Sequence, residues 1–592
     1  MAPFLAAAAW TCGIVAQISV GPNVHVSASR GGDAHYEVIA AADPTRPERL
    51  VVGAIERHGT SAGTIVYSST DGGESWSATL ETPPAAHRSD ATSDPAVAYG
   101  PDGTAYFLSS LLPPNSSGPQ RHMLLYRSKD GGTTWLEPVT FTYSDREYIA
   151  VDGGHGGRRG RIYVNGNGRS GPYAGSLTVF TSADDGASFH EAVMPGLPTA
   201  PVMGNIVVLS DGTPIALLTR GASDHPPAGV SETWLQVSRS MDGGGTFSPP
   251  ENAVRATLVA GRKGAHNNTL ALPLMAVDAS TGKYRDRLYI VWPEFKDGHT
   301  DIYLVASADA GHTWTAPTRV NDAPPASPPV DHFMATVAVN KDGVVGVLWY
   351  DRRARPDNIG WDVRFSASTD GGATFLPSVK VSERGTSFGA SERWIIDPRV
   401  TRTDGSIALD MSLNTFTFLG GDTAGLVADA RGRFHAFWIE NSTGIPQVWT
   451  APIDLVEPSA PAVPAERARG NLTAQVTVET DEPAYDAAAR TLTIRVRVLN
   501  SGSAVIQGPL TLRASSVQSE IATVAFANSD RGGTANGAEF DVGAPGQMLR
   551  PGERTPYRTI VIKMADVRPF RDGDFYRRGL AKVSFTVWGG GE

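Results

Sequence analysis

The chain has 592 residues, 64 of them Gly and 42 Pro, with only 19% charged. It is too long for one ordinary domain, and its short aromatic and β-branched runs between turn residues mark it as all-β. A net charge of −10 without any Lys/Arg block excludes a nucleic-acid partner, because phosphate binding needs a concentrated basic face. The sole cysteine, Cys12, excludes a disulfide framework and a cysteine metal centre.

In chain order, residues 4–16 form the only long apolar stretch. It is too short to span a bilayer but fits a signal-peptide core, with Ala16 as the cleavage point before Gln17. Residues 1–16 are therefore expected to be a signal peptide and the protein secreted or periplasmic, with no transmembrane segment.

From residue 17 to 457 the chain is organised by a self-similar octet, Ser-x-Asp-x-Gly-x-(Ser/Thr)-(Trp/Phe), beginning at Ser69, Ser128, Ser182, Ser240, Ser307 and Ser368. The copies recur roughly every 60 residues, the spacing of four-strand propeller blades. Asp71 and its equivalents can accept backbone N–H bonds across a tight turn, Gly73 and its equivalents permit positive φ, and Trp76 and its equivalents can insert a ring between neighbouring sheets. Two more strands precede each octet, joined by short turns such as Pro101-Asp102-Gly103. Six blades follow, at 36–80, 93–141, 147–193, 204–250, 268–320 and 333–381, and a seventh unit at 424–453 lacks both the octet and a fourth strand. Residues 23–29 are expected to supply that strand and close the ring, since closure removes exposed sheet edges. The fold class is thus a seven-bladed β-propeller, with six blades as the competing count. Residues 458–466 read as a Pro/Ala-rich linker, and 467–592 as an immunoglobulin-like β-sandwich, from alternation such as Leu492, Ile494, Val496, Val498.

The octets resemble those of the Asp-box, or BNR-repeat, proteins, a group that includes sialidases and other propeller glycosidases and lyases. The resemblance covers about residues 20–455. It implies a glycan substrate, and an exo-α-sialidase-like hydrolase of acidic glycans as the leading activity. A polysaccharide lyase acting on uronates and a non-catalytic binding propeller are the alternatives. No Tyr-Arg-Ile-Pro segment opens the first blade, so no sialidase arginine carries over by motif.

The loops opposite the octets form the expected working rim, because long loops on a rigid ring carry function. By position and chemistry, Tyr350 is the expected nucleophile, as the resemblance to sialidases implies, with Glu294, Asp94 and Asp331 as the other catalytic candidates. Arg57, Arg146, Arg353, His332, Asp351 and Asp422 are the expected substrate-binding residues, the guanidinium groups as carboxylate clamps. Other charges on this rim, Glu147 and Arg352 among them, read as solvated loop tips. No metal motif is present, and no cofactor or metal is expected.

Overall fold

The computed structural model describes residues 17–58, 61–83, 90–113, 121–142, 144–168, 176–195, 202–220, 229–260, 273–324, 329–355, 358, 360–386, 420–443, 445–456, 469–481, 483–486, 488–519, 522–531, 533–543, 548–565 and 581–590. The chain divides into two compact units, Met1–Pro458 and Ser459–Glu592. Among the described residues no helix is long and apolar enough to cross a membrane.

The first unit consists of successive antiparallel sheets in which each strand pairs with the next, the arrangement of a β-propeller. Six four-stranded sheets, here sheets 1 to 6, begin with Ala34–Ala42, Ala91–Tyr99, Ser144–Val151, Val202–Val208, Leu274–Val277 and His332–Val339. Sheet 7 contains Gly425–Ala428, Phe434–Glu440 and Gln447–Val456, and its outer strand is Gln17–Val20, paired from Gln17↔Val456 to Val20↔Ile453. The closing strand therefore lies upstream of the expected 23–29; of that stretch Val24–His25 pairs further along the same partner, with Thr450 and Trp449. The first strand of each sheet touches that of the next, and the seventh touches the first.

Each neighbouring pair of sheets encloses its own apolar cluster, so the core is distributed around the ring. Sheets 7 and 1, for example, share Val38, Val52, Ile65, Phe437, Ile439 and Val448. Covered on both faces, the second strands are apolar almost throughout instead of alternating: all of Val345–Asp351 is buried.

The octets are the turns between third and fourth strands. In all six the Ser hydroxyl donates to the Asp carboxylate and accepts from the Gly N–H, as in Ser69 Oγ to Asp71 Oδ1, 2.7 Å, and Gly73 N to Ser69 Oγ, 2.9 Å. The Asp carboxylate then takes a backbone N–H four residues on, Ser75 N at 2.9 Å. The Asp and Gly roles match expectation. The Ser, the only octet oxygen that serves both partners, is the element the turn-residue argument did not weigh. Each octet covers the preceding sheet, since a Cβ at Gly132 would lie 2.4 Å from Val51 of sheet 1. Sheet 7 has no octet, and a cavity of about 450 Å³ occurs at the corresponding place, lined by Asp342, Val344, Thr369, Arg433 and Asp454. There Arg433 and Asp454 form a two-pronged ion pair at 2.8 and 2.9 Å.

The second unit has two antiparallel sheets that face one core containing Leu492, Val496, Leu512, Phe540, Ile560 and Val587. The alternation read in 490–500 is the inward face of Thr491–Asn500.

Candidate active site

Five of the seven innermost strands are interrupted at a corresponding place. Register slips between Tyr36 and Ile39, Ser93 and Ala96, Asp145 and Tyr148, Met203 and Ile206, and Phe333 and Thr336, in the half of each strand away from the octet end. These are β-bulges, which bend a strand and re-aim its side chains. Glu37, Asp94 and Met334 hold equivalent first positions of their bulges, with φ of 53°, 53° and 54°. A left-handed conformation in three non-glycine residues costs energy, and such strain gathers where a site needs it.

Two of these bulges and the one in sheet 3 bring acids together. Glu147, in the sheet 3 bulge, is only 4% exposed, and neither carboxyl oxygen has a hydrogen-bond partner on another described residue. Burial raises its carboxyl well above the ordinary range, and the negative charges of Asp94, then Asp145 and Glu37, raise it further. Both effects favour the protonated form of Glu147. Asp94 is half-buried and accepts from Ser93 Oγ at 3.2 Å. Glu37 donates its N–H to Gly420 O at 2.9 Å, and Gly421, at φ 87°, lies so close that a Cβ would meet Glu37 Cγ at 2.3 Å. Only glycine fits there. Asp422 follows directly and is half-buried. Among the described residues no group of three or more His, Cys, Asp or Glu is spaced to hold a metal ion.

The candidates on sheets 5 and 6 converge elsewhere, in a structural network. Tyr350 has no exposed surface: it stacks on Trp361 at 5.1 Å, and its hydroxyl accepts from Ile439 N at 3.1 Å. Burial between sheets 6 and 7 pushes its hydroxyl far up. The nucleophile expectation for Tyr350 is therefore corrected: an apolar strand end covered by the next sheet cannot meet substrate. Glu294 is likewise occupied, accepting from Trp292 Nε1 at 2.7 Å and from Thr257 N of sheet 4 at 3.0 Å. Asp331 is buried, receiving Thr300 N at 3.0 Å and Asn358 Nδ2 at 2.8 Å, with Arg352 3.7 Å away.

His332 is buried with Nδ1 3.1 Å from Asp351 Oδ2. Asp351 also binds Arg353 through both oxygens, Nε to Oδ1 and Nη2 to Oδ2, each at 2.9 Å. Although burial alone would raise it, His332 and Arg353 hold the Asp351 carboxyl far below the usual range. Arg353 also donates through Nη1 to Asp322 Oδ1, 2.9 Å. With its charge already matched by two carboxylates Arg353 is committed within the fold, and the binding roles expected of Arg353, His332 and Asp351 give way to packing ones.

Arg57 is half-buried at the end of Leu50–His58. The side chain of Arg146 lies outside the described residues. Residues 293–300, on the rim opposite the octets, form a tight hairpin closed by Asp297 and Gly298, φ 52° and 88°. That Asp-Gly pair was the available signal for a two-residue turn. Another readable signal is Trp-x-Asp/Glu, repeated at Trp292, Trp349 and Trp438, where the indole N–H meets the acid two residues on, at 2.7, 2.8 and 3.2 Å. Period-two spacing puts both on one strand face, so these acids are committed within the fold.

Fold and site together define an all-β, propeller-type chain with a buried acid among carboxylates at one end of its inner strands. No protein-family model and no curated protein matches the sequence. Among solved structures it is similar to a protein of unknown function from Dyadobacter fermentans DSM 18053, at 13% identity and TM-score 0.40, covering 74% of this chain and 99% of that one. It is also similar to the Hadza microbial sialidase Hz136, at 14% identity and TM-score 0.37, covering 71% of this chain and 65% of that one. A third is a mutant of the α-L-arabinofuranosidase arb93a from Fusarium graminearum with an iminosugar inhibitor, at 13% identity and TM-score 0.37, covering 62% and 93%. The likeness is one of fold and says nothing of substrate.

Proposed function

We propose that the chain is an exported glycoside hydrolase built on a seven-bladed β-propeller, with an immunoglobulin-like accessory domain after residue 458. One observation carries the reading: Glu147, a buried carboxyl without a partner beside the carboxylate of Asp94. Burying an unpaired carboxyl costs stability and returns nothing structurally, so a chemical use is the physical account. Glycoside hydrolysis needs such a pair of acids in different protonation states. Glu147 donates its proton to the glycosidic oxygen as the bond to the anomeric carbon breaks. Asp94, on the neighbouring inner strand, stabilises the positive charge that develops on the sugar and takes a proton from the water that attacks the anomeric carbon.

The sialidase-type variant loses support with Tyr350 packed and Arg353 paired with Asp351 and Asp322. A lyase needs a base beside a uronate carboxylate: His332 is buried in an ion network, and His266 and Asn267 lie outside the described residues. A purely binding propeller gives no reason for the orphaned acid of Glu147. Export is supported by the apolar stretch 4–16, which itself lies outside the described residues.

The test is Glu147→Gln assayed on two glycosides. With an ordinary sugar leaving group turnover should fall by ~10²-fold or more, while an activated aryl leaving group, which needs no proton, should lose far less. Equal losses on both, or none on either, would remove Glu147 as the acid.

A further inference from the structure

We infer that Thr178 positions the proposed acid, Glu147, by holding one of its carboxyl oxygens through a single water molecule seated over Gly166. The catalytic part of this inference rests on the glycosidase reading, whereas the coupling of the two side chains does not depend on it.

A repeated pattern of the ring is broken in sheet 3. In sheet 1 the bulge between Tyr36 and Ile39 sets Val38 opposite Ala54, which pairs with Ile65 on the third strand. These three residues, in line across the sheet, belong to one apolar cluster. In sheet 2 the same line runs through Pro95, Ser109 and Leu124. In sheet 3 the bulge between Asp145 and Tyr148 lies opposite Gly166, which pairs with Thr178, so the line reads Glu147, Gly166, Thr178. Its face is the one toward sheet 2, because Val164 and Phe180, two residues along from Gly166 and Thr178, pack there with Leu108 and Met123. Where sheets 1 and 2 end the line in Ile65 and Leu124, sheet 3 ends it in a hydroxyl, with an acid at the other end and no side chain between. Thr178 is fully buried and Glu147 is 4% exposed. Among the described residues neither Thr178 Oγ1 nor either carboxyl oxygen of Glu147 has a hydrogen-bond partner.

Strand spacing decides how the two ends meet. First and third strands of a sheet stand roughly 9.5 Å apart, twice the distance between neighbours. Glu147 and Thr178 each reach inward from one end, and with no Cβ on Gly166 the space between them is that of about one water molecule. A buried water needs at least about two polar partners, and these two side chains supply them. The Thr178 hydroxyl donates to the water, and the water donates to one oxygen of Glu147. An oxygen that accepts this bond is the poorer place for the acidic proton, which therefore rests on the other oxygen, the one left to meet the glycosidic oxygen. Once the proton has gone, the same water stabilises the carboxylate, working against the burial and the charges of Asp94, Asp145 and Glu37 that disfavour it. Thr178 acts through the water and does not itself meet the substrate.

The test is titration of the Glu147 carboxyl in the full chain by difference infrared spectroscopy, its band identified by its loss in Glu147→Gln. Thr178→Val removes the hydroxyl and keeps the shape, and Ile65 and Leu124 at the equivalent places show that the fold accepts an apolar side chain there. The midpoint should rise by about one pH unit, because a hydrogen bond to a carboxylate favours its charged form, and Thr178→Ser should bring it back. Gly166→Ala adds the Cβ that Ala54 already carries in sheet 1, so it should displace the water and raise the midpoint as Thr178→Val does. On a sugar-leaving glycoside that the wild type hydrolyses, Thr178→Val should lower kcat about tenfold with KM unchanged. A midpoint unmoved by Thr178→Val overturns the inference, and a rise that Gly166→Ala does not share overturns the water. The two readings separate: raised midpoints in a protein that hydrolyses no glycoside uphold the coupling and defeat the hydrolase, whereas hydrolysis that depends on Glu147 with unmoved midpoints does the reverse.

Discussion

Replacing Glu147 by Met should make the protein more stable while ending its proposed chemistry. Met is close to Glu in volume and carries no strong hydrogen-bonding atom, so it fills the same space without the two orphaned oxygens. A buried polar group left unsatisfied costs about 1–3 kcal/mol, and relief of that order is expected at pH 5. The gain should grow with pH. Burial and then Asp94 raise the folded-state value of Glu147 above its ordinary 4.5. Because the folded state keeps the proton longer than the unfolded chain, the group's contribution is intact below 4.5 and is lost as pH rises through the folded-state value. Over that window the wild type loses about 1.4 kcal/mol per pH unit relative to the variant. Urea denaturation of both proteins at pH 5, 6 and 7 measures this directly, and other titrating groups cancel in the difference. A variant less stable than wild type, or a difference that does not change with pH, would refute the buried, charge-repelled environment on which the site is built.

Tyr350→Phe should leave turnover unchanged and cost about 1 kcal/mol in denaturation midpoint, because Ile439 N–H loses its acceptor; a hundredfold loss of activity with unchanged stability would restore the tyrosine as a catalytic group. Asp184→Ala should destabilise by about 1 kcal/mol at neutral pH, comparable to losing a helix cap, with no effect on activity. The hydroxyl of Ser188, then its N–H and Ser182, hold Asp184 down at about 2, so its stabilisation is present above the ordinary 3.8 and is lost as pH falls toward 2. The gap between this variant and wild type, read by thermal melting, should therefore close in acid. Removing residues 459–592 should leave a folded, monodisperse first unit, since that unit has its own cores and a closed cycle of first strands; aggregation in gel filtration would show that the two units cannot be parted.

Much of the ring was legible because its signals are local. The octet turn is specified within eight residues, and all six octets adopt the bonds their residue types allow. The strands between them read correctly because apolar runs bounded by Asp-Gly turns have few other uses, and 490–500 alternates as a strand packed on one face must. The N-terminal strand was expected to close the ring, but its position was misjudged. Gln17–Val20 is set by register against the other end of the chain, information that a window of sequence does not hold.

The candidate site was legible only in part. Asp94 was picked from position, while Glu147 was read as one more solvated charge and Tyr350 as a reactive one. The three-dimensional structure buries both. Sequence determined that acids stand near the starts of inner strands and that aromatic residues end second strands. Tertiary structure alone decided which acid is buried without a hydrogen-bond partner among the described residues and which tyrosine is covered by the neighbouring sheet, because the pKa of a group and its access to substrate depend on charges and surfaces brought from strands distant in the chain, as Ile439 is from Tyr350.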